Sequence, residues 1–194
     1  MRLKQICNFD PLTGESVKLE QLEVDLAEVA ASGRKAVVFS QWVEPLEILA
    51  ERLAAFGPLR FHGRIAAHQR QHTLAQFRDD PEKHVLLMSY GTGSVGLNLH
   101  FANYVFLFDR WWNPAVEDQA INRTHRIGQR EPVFVTRFIA ERTIEGRICE
   151  VLEKKRQLFH NLIEQNGMPG PVGLSEAEVF SLFGLRVRRM QLAA

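Results

Sequence analysis

The sequence lacks several features that would place it in a common functional class. Its two cysteines, Cys7 and Cys149, lie far apart without CxxC spacing, which argues against a disulfide framework and a structural zinc site and predicts two free thiols. It has no run of about 18 apolar residues and no signal-peptide core, so we expect a cytoplasmic protein, or a nuclear one in a eukaryote, with no membrane partner. A formal net charge of +1 gives no overall indication of nucleic-acid binding.

Nucleotide and metal motifs are also missing. No stretch matches G-x-x-x-x-G-K followed by Ser or Thr, and no Asp-Glu pair ends an apolar strand to hold magnesium, so the chain lacks a triphosphate cradle of its own. His68 and His72 lie four residues apart, but the glutamate of the zinc protease motif and a third ligand are missing. We therefore expect no metal site.

A glycine-rich segment, Gly91 to Gly96, matches the G-x-G-x-x-G pattern of dinucleotide-binding proteins. Only residues 97–103 separate it from the next predicted strand, which is too few for a crossover helix and argues against NAD or FAD binding. Two alternatives stay open. The loop brings backbone amides close to a phosphate of DNA or ATP, or it is a glycine-rich turn without a ligand.

Apolar runs alternate with helical patterns through most of the chain. Strands are predicted over residues 36–39, 59–62, 84–89, 104–109 and 133–138, and helices over 18–31, 45–56, 66–77 and from Pro114 onward. This alternation predicts an α/β protein with a mainly parallel sheet flanked by helices. One long helix over 143–165, or two with a break, is expected to follow. A Gly/Pro-rich break over 167–173 and a short amphipathic helix after the capping box at residues 175–178 are expected next.

Two arginines are concentrated after Pro114. Arg123 and Arg126 are three residues apart and Gln119 lies four residues before Arg123, which predicts one polar face of a helix. Two guanidiniums on a rigid element suit a phosphoryl group, because each is always charged and can donate two hydrogen bonds. The alternative is that they pair with Glu117, Asp118 or Glu131 as an exposed ionic face, and the spacing by itself favours that alternative.

Two adjacent tryptophans, Trp111 and Trp112, follow a predicted strand end, where an open parallel sheet places its ligand loops. Neighbouring side chains of an extended segment point to opposite faces, so we expect one ring to be exposed for contact with a nucleic-acid strand. The alternative is that one ring is buried and the other packs against the C-terminal helix. From Arg123 to Arg147 there are six arginines and three glutamates, a local basic excess that permits a polyanionic partner.

Three segments together resemble motifs of the SWI/SNF-type ATPases, a group of superfamily-two double-stranded DNA translocases. Residues 37–42, Val-Val-Phe-Ser-Gln-Trp, resemble motif IV, residues 89–99 resemble motif V, and residues 118–129, ending His-Arg-Ile-Gly-Gln, resemble motif VI. Motif V departs from the usual S-x-K-A-G-G, because Gly91 replaces the lysine and Ser94 the second glycine. Residues 3–8 are similar to the connector that enters the C-terminal lobe of this family, and residues 174–185 to the closing segment of its bacterial members.

The resemblance implies a RecA-like three-layer lobe with C-terminal brace helices. Its expected parts are a connector (1–17), the lobe (18–142), a brace helix (143–166), and a linker with a short amphipathic helix (167–194). It also implies the second motor lobe of an ATP-dependent DNA translocase or remodelling ATPase, inactive in hydrolysis alone, with ATP and magnesium held mainly by a separate N-terminal RecA-like lobe. Expected partners are that lobe, double-stranded DNA and a nucleic-acid-bound protein complex. A non-catalytic nucleic-acid or partner-binding module derived from the lobe is the alternative.

The resemblance further implies a role for individual residues of the motifs. Arg123 and Arg126 would be catalytic arginine fingers, and Gly96, Asn98 and Gln119 would lie on the nucleotide side. The residues expected on the DNA side are Ser40, Gln41, Ser89, Thr92, Gly93, Trp111, Trp112 and Asn113.

Overall fold

The computed structural model describes residues 2–94, 97–126 and 128–153. Its helices are α1 (Arg2–Ile6), α2 (Val17–Ala31), α3 (Val43–Arg52), α4 (Ala67–Asp79), α5 (Pro114–Ile121) and α6, which begins at residue 144 and includes residues up to 153. Its strands are β1 (Ala36–Ser40), β2 (Leu59–Phe61), β3 (Val85–Ser89), β4 (Tyr104–Leu107) and β5 (Phe134–Arg137), and Ala54–Phe56 and Tyr90–Ser94 form short 3-10 helices. Within these ranges no helix is long and apolar enough to cross a bilayer.

The five strands form one parallel sheet in the order β2-β3-β1-β4-β5. Alternate residues of the central strand face opposite sides, as strand geometry requires. Val38 packs with Leu22 of α2 and Leu49 of α3 on one face, while Val37 packs with Phe77 of α4 on the other. The sheet therefore has an apolar core and helices on both faces, which confirms the predicted RecA-like three-layer architecture.

Local signals in the sequence explain where several elements start and stop. The Ser16 hydroxyl caps α2 by accepting a hydrogen bond from the backbone N–H of Leu19, at 3.1 Å. The turn at Gly57 requires glycine, because its φ is +58° and a Cβ there would lie 2.2 Å from the carbonyl oxygen of Glu82. These signals place α2 and β2 close to where the sequence predicts them.

The structure differs from the sequence predictions around the motifs. The glycine-rich segment enters a 3-10 helix, Tyr90–Ser94, rather than an open loop. Helix α5 ends at Ile121, so the prediction that Arg123 and Arg126 lie on a face of this helix is wrong. After Ile121 the backbone changes to turn-type hydrogen bonds, such as that from the N–H of Thr124 to the carbonyl of Ile121 at 3.0 Å, and the Thr124 hydroxyl donates to the same carbonyl at 2.8 Å.

Both cysteines are free, as predicted. The predicted helix over 143–165 is present as α6 from residue 144, and its part beyond residue 153 lies outside the described residues. The predicted break over 167–173 and the amphipathic helix after residue 175 also lie outside them.

Candidate functional site

The carboxyl ends of β1, β3 and β4 form one edge of the sheet, the usual place for ligand loops in open parallel sheets. Ser40 and Ser89 end their strands as register partners. The chain leaving β4 stays alongside, because the backbone N–H of Phe108 donates to the carbonyl of Phe39 at 2.9 Å. The predicted DNA-side residues at this edge are Ser40, Gln41, Ser89, Thr92, Gly93, Trp111, Trp112 and Asn113.

A buried carboxylate, Asp109, organises this edge. Its side chain is fully buried, and it accepts hydrogen bonds from the Ser40 hydroxyl at 2.5 Å, the backbone N–H of Gln41 at 2.9 Å and the amide of Asn8 at 3.3 Å. The Tyr90 hydroxyl donates to the backbone carbonyl of Asp109 at 2.9 Å. Asp109 therefore ties together the loops that follow β1, β3 and β4.

The same contacts change the role expected of Ser40. Its side chain is completely buried and its hydroxyl is bonded to Asp109, so it lies beneath the surface that it was expected to form. Ser89 and Thr92 are each 8% exposed, and their hydroxyls are hydrogen-bonded to each other. Gln41 is half-buried and follows directly in the loop after β1. Among these four residues, Gln41 offers the most side-chain surface to a ligand.

Burial dominates the chemistry of Asp109. Loss of hydration raises the pKa of its carboxyl from 3.8 to about 6, although the hydrogen bonds from Ser40 and Gln41 and the charges of Lys4 and Lys18 oppose the rise. A carboxyl with a higher pKa in the folded state holds its proton more tightly when folded. The contribution of Asp109 to the free energy of unfolding therefore falls as the pH rises from about 4 to about 6.

We expect replacement of Asp109 by asparagine to remove this pH dependence. The free energy of unfolding of the wild type should fall by about 2 kcal/mol relative to Asp109→Asn between pH 4 and pH 7, because each unit of difference between the folded and unfolded pKa corresponds to about 1.4 kcal/mol and part of the effect is already lost at pH 4. Urea unfolding of both chains across this range measures it. A difference between the two chains that does not change with pH would contradict the assignment.

The two tryptophans pack on different parts of the protein. Trp111 lies against Tyr90, with ring centroids 5.5 Å apart, and belongs to the core that includes α5. Trp112 packs on the buried residues Ile148 and Leu152 of α6. Both rings are only partly buried, so each retains exposed surface at the carboxyl edge. Trp112 thus packs on the predicted brace helix, whereas the C-terminal helix named by the alternative interpretation lies outside the described residues, and neither ring is fully buried.

A second buried carboxylate, Glu117, anchors the tryptophan loop, which is the segment between β4 and α5 that contains Trp111 and Trp112. Its Oε1 accepts hydrogen bonds from Arg110 Nε and from the backbone N–H of Trp111, both at 2.8 Å, and Arg137 Nε lies 3.8 Å from its Oε2. Asn113 caps α5 by accepting a bond from the N–H of Ala115 at 3.0 Å. The loop between β4 and α5 is therefore fixed at both ends.

The arginine pair lies in the turn that follows α5. The carbonyl of Arg123 accepts a hydrogen bond from the N–H of Leu99 at 3.0 Å, and Arg126 Nη1 donates to the carbonyl of Leu97 at 3.4 Å. Partial burial, and then the charge of Arg126, lower the pKa of the Arg123 guanidinium. The charge of Arg126 thus acts on Arg123, and the two residues share a turn and not a helix.

The contacts of Glu117 and Glu131 test the alternative in which Arg123 and Arg126 form an exposed ionic face with nearby carboxylates. Glu117 is occupied by Arg110 and the backbone of Trp111, and Glu131 lies 3.3 Å from Arg34. Arg123 Nε is buried and has no hydrogen-bond partner within the described structure. A buried donor of this kind is costly unless it meets an acceptor. Arg123 therefore offers a polar group that an anionic ligand would satisfy.

Two of the remaining predicted nucleotide-side residues adjoin segments linked to this turn, since Asn98 precedes Leu99, which bonds to Arg123, and Gln119 lies four residues before Arg123. Asn98 is exposed, and its Oδ1 accepts hydrogen bonds from the backbone N–H and the ring Nδ1 of His100. Gln119 is exposed on α5, and Gly96 lies outside the described residues. The turn and the carboxyl edge are joined by α5, whose eight residues span about 12 Å.

Sequence reasoning missed the buried charged residues that hold this region. Asp109 and Glu117 are completely buried, and Lys4 of α1 and Lys18 of α2 are almost so. Only Asp109 carried a local signal, since it ends an apolar run. The others are spaced in sequence like ordinary surface charges, which are rarely buried without a partner.

Comparisons with known proteins are consistent with this geometry. Residues 17–128 match the family described as helicase conserved C-terminal domain. The DNA repair protein RAD5B of Arabidopsis thaliana is 46% identical over 149 residues, which are 75% of this chain and 12% of that protein. This chain thus spans only a small part of the length of that relative.

Two solved structures from Sulfolobus solfataricus have the same fold. The SWI2/SNF2 ATPase C-terminal domain is 29% identical, with a TM-score of 0.66 over 96% of this chain and 79% of that one. The SWI2/SNF2 ATPase core in complex with double-stranded DNA is 31% identical, with a TM-score of 0.68 over 86% of this chain and 37% of that one. The chain therefore belongs to the helicase conserved C-terminal domain family, as a C-terminal RecA-like lobe of the SWI/SNF-type ATPases.

Proposed function

We propose that this chain is the second motor lobe of an ATP-dependent double-stranded DNA translocase or remodelling ATPase. It supplies Arg123 and Arg126 to ATP held by a separate first lobe, together with magnesium, and its carboxyl edge forms half of the DNA track. The observation that carries the proposal is the position of α5, which has the tryptophan loop at its start and the arginine turn at its end.

The arginine turn fits a phosphoryl group. Two neighbouring guanidiniums repel each other, and an anion placed between them relieves that repulsion. Within the described residues the buried Nε of Arg123 also has no hydrogen-bond partner, and a phosphate oxygen would supply one. In this role the arginines stabilise the negative charge on the transferred phosphoryl oxygens, while residues of the first lobe hold the rest of the nucleotide.

The carboxyl edge suits a nucleic-acid backbone. Gln41, Trp111 and Trp112 are partly exposed there, and aromatic side chains near basic residues recur where strands of nucleic acid bind. A related Sulfolobus ATPase core has been solved with double-stranded DNA. Ser40, Ser89 and Thr92 shape this edge from below, because their hydroxyls are used within the protein.

Two connections link the nucleotide side to the DNA side. Helix α5 joins the tryptophan loop to the arginine turn. The backbone bond between Leu99 and Arg123 joins the same turn to the segment that follows Ser89 and Thr92. Closure of the two lobes on ATP, and their opening after hydrolysis, would therefore move both loops of the carboxyl edge together.

Replacement of Trp111 and Trp112 by alanine in a protein containing both lobes tests the DNA side. We expect DNA-stimulated ATP turnover to fall about 30-fold or more, since each of the two aromatic contacts with nucleic acid contributes about 1–3 kcal/mol, while basal turnover stays within about a factor of two. Steady-state ATPase assays with and without duplex DNA measure both rates.

Phe134→Ala is the matched control for this change. Phe134 is a half-exposed aromatic residue on β5 that stacks on Tyr104 at the opposite end of the sheet. The Phe134→Ala variant should show the same stimulation of ATP turnover by DNA as the wild type. Equal losses of basal and stimulated turnover in the tryptophan variant would indicate that the rings serve only to hold the fold.

A further inference from the structure

A buried lysine on α1 contacts both loops of the carboxyl edge. Lys4 is 1% exposed, and its ammonium donates hydrogen bonds to Gln41 Oε1 at 2.9 Å and to the carbonyl of Arg110. The same nitrogen lies 5.2 Å from the ring centroid of Trp42 and 4.7 Å from that of Trp112. Arg110 directly precedes Trp111, and Gln41 directly precedes Trp42, so one cation contacts each loop just before its tryptophan.

The contacts of Lys4 account for an otherwise costly burial. An ammonium group has three donors and no acceptor, and it is unfavourable in the interior unless these donors are used. Two oxygens take up donors, and two aromatic faces attract the remaining charge. Asp109 and Glu145 add favourable charge nearby, although burial still lowers the pKa of Lys4. The Lys4 ammonium is thus held by two oxygens and two aromatic rings of the loops at the carboxyl edge.

We propose that Lys4 is a positioning residue that holds Gln41, Trp42 and Trp112 in the arrangement that binds DNA. Helix α1 then contributes to DNA binding by supporting the carboxyl edge, in addition to connecting to α2. This inference rests on the proposed function, because the edge must contact DNA for its arrangement to matter.

The tryptophans make the arrangement directly measurable. The chain has three, Trp42, Trp111 and Trp112, and all lie in or beside the two loops that Lys4 contacts. Lys4→Met keeps the bulk of the side chain but removes the cation and its donors. In the 194-residue chain without DNA, we expect Lys4→Met to shift the tryptophan emission and to raise the acrylamide quenching constant roughly twofold, since the rings lose their shared partner.

Lys35→Met is the matched control. Lys35 also donates to two carbonyl oxygens, those of Asp80 and Lys83, and lies 5.3 Å from the ring of Phe77. It directly precedes β1, at the opposite end of the strand from Gln41. The same substitution there should leave emission and quenching at their wild-type values.

The functional consequence is tested in the protein that contains both lobes. Lys4→Met should raise the DNA concentration that gives half-maximal stimulation of ATP turnover roughly tenfold, whereas Lys35→Met should not change it. Lys4→Arg, which keeps a cation, should lie between the wild type and Lys4→Met. If Lys4→Met does not fold, Lys4→Gln is the second variant, because it removes the charge but keeps a polar group with N–H donors near the Arg110 carbonyl.

The outcomes separate this inference from the proposed function. Equal quenching and equal half-maximal DNA concentrations in folded Lys4→Met and Lys35→Met would overturn the role of Lys4. If the quenching constant rises but duplex DNA neither stimulates turnover nor alters tryptophan emission in the wild type, the proposed DNA function fails and Lys4 only supports the loops. A rise in both quantities for Lys4→Met alone supports the positioning role.

Discussion

Replacement of Arg126 by alanine in a protein containing both lobes is expected to lower ATP turnover by about 10³-fold or more, with little change in DNA affinity. The reason is that an arginine reaching the γ-phosphate in the transition state contributes about 10³ to 10⁵ in rate. The Arg126 side chain is exposed and makes a long hydrogen bond of 3.4 Å to the Leu97 carbonyl, so its removal should not disturb the core. Steady-state ATPase assays and a DNA-binding titration measure the two quantities.

Arg130→Ala is the matched control, because Arg130 is an exposed arginine four residues farther along the chain. It should keep wild-type turnover. The 194-residue chain alone gives the baseline, and we expect it to be inactive, since its sequence contains no P-loop. Unchanged turnover in Arg126→Ala would remove the arginine-finger role of this residue.

Replacement of Lys18 by methionine is expected to destabilise the chain by about 3–5 kcal/mol, because it leaves a buried carboxylate without its partner. Lys18 Nζ lies 2.6 Å from Glu145 Oε2, and the two side chains are 7% and 0% exposed. The same nitrogen donates to the carbonyl of Phe108 and to Asn8 Oδ1, both at 3.1 Å. This residue therefore joins α2 and α6 to the chain that leads into Asp109, and urea unfolding measures its contribution.

Two further variants show whether the loss comes from the unpaired charge. The double variant Lys18→Met with Glu145→Leu should recover part of the stability, because no charge is then left buried alone. Arg64→Met removes an ion pair with Glu44 in which both side chains are more than half exposed, and it should cost less than about 1 kcal/mol. A Lys18→Met chain as stable as Arg64→Met would show that the buried pair contributes little.

The tryptophan loop shows where sequence patterns stop being informative. The apolar run before Asp109 correctly predicts a strand, and the Asn-Pro pair correctly predicts the start of α5. Neighbouring positions in sequence could not show what each ring packs against. Trp112 packs on Ile148 of α6, which is more than 30 residues later in the chain, and Trp111 packs on Tyr90 of the loop after β3.

The sequence by itself determined the layered α/β architecture and the identity of the motifs. Uninterrupted apolar runs can only be buried on both faces of a sheet, and the helix stripes between them must cover it. These are local properties, so one sequence suffices to predict them.

The tertiary structure alone decided how the motifs are held. It showed that a turn, not a helix, brings Arg123 and Arg126 together, and that Ser40 lies beneath the surface. It also revealed the buried charges, because Lys4 meets Arg110 and Lys18 meets Glu145 across separations of 106 and 127 residues. A charged residue shows no local sign of burial, since its partner is supplied only when distant segments fold against each other.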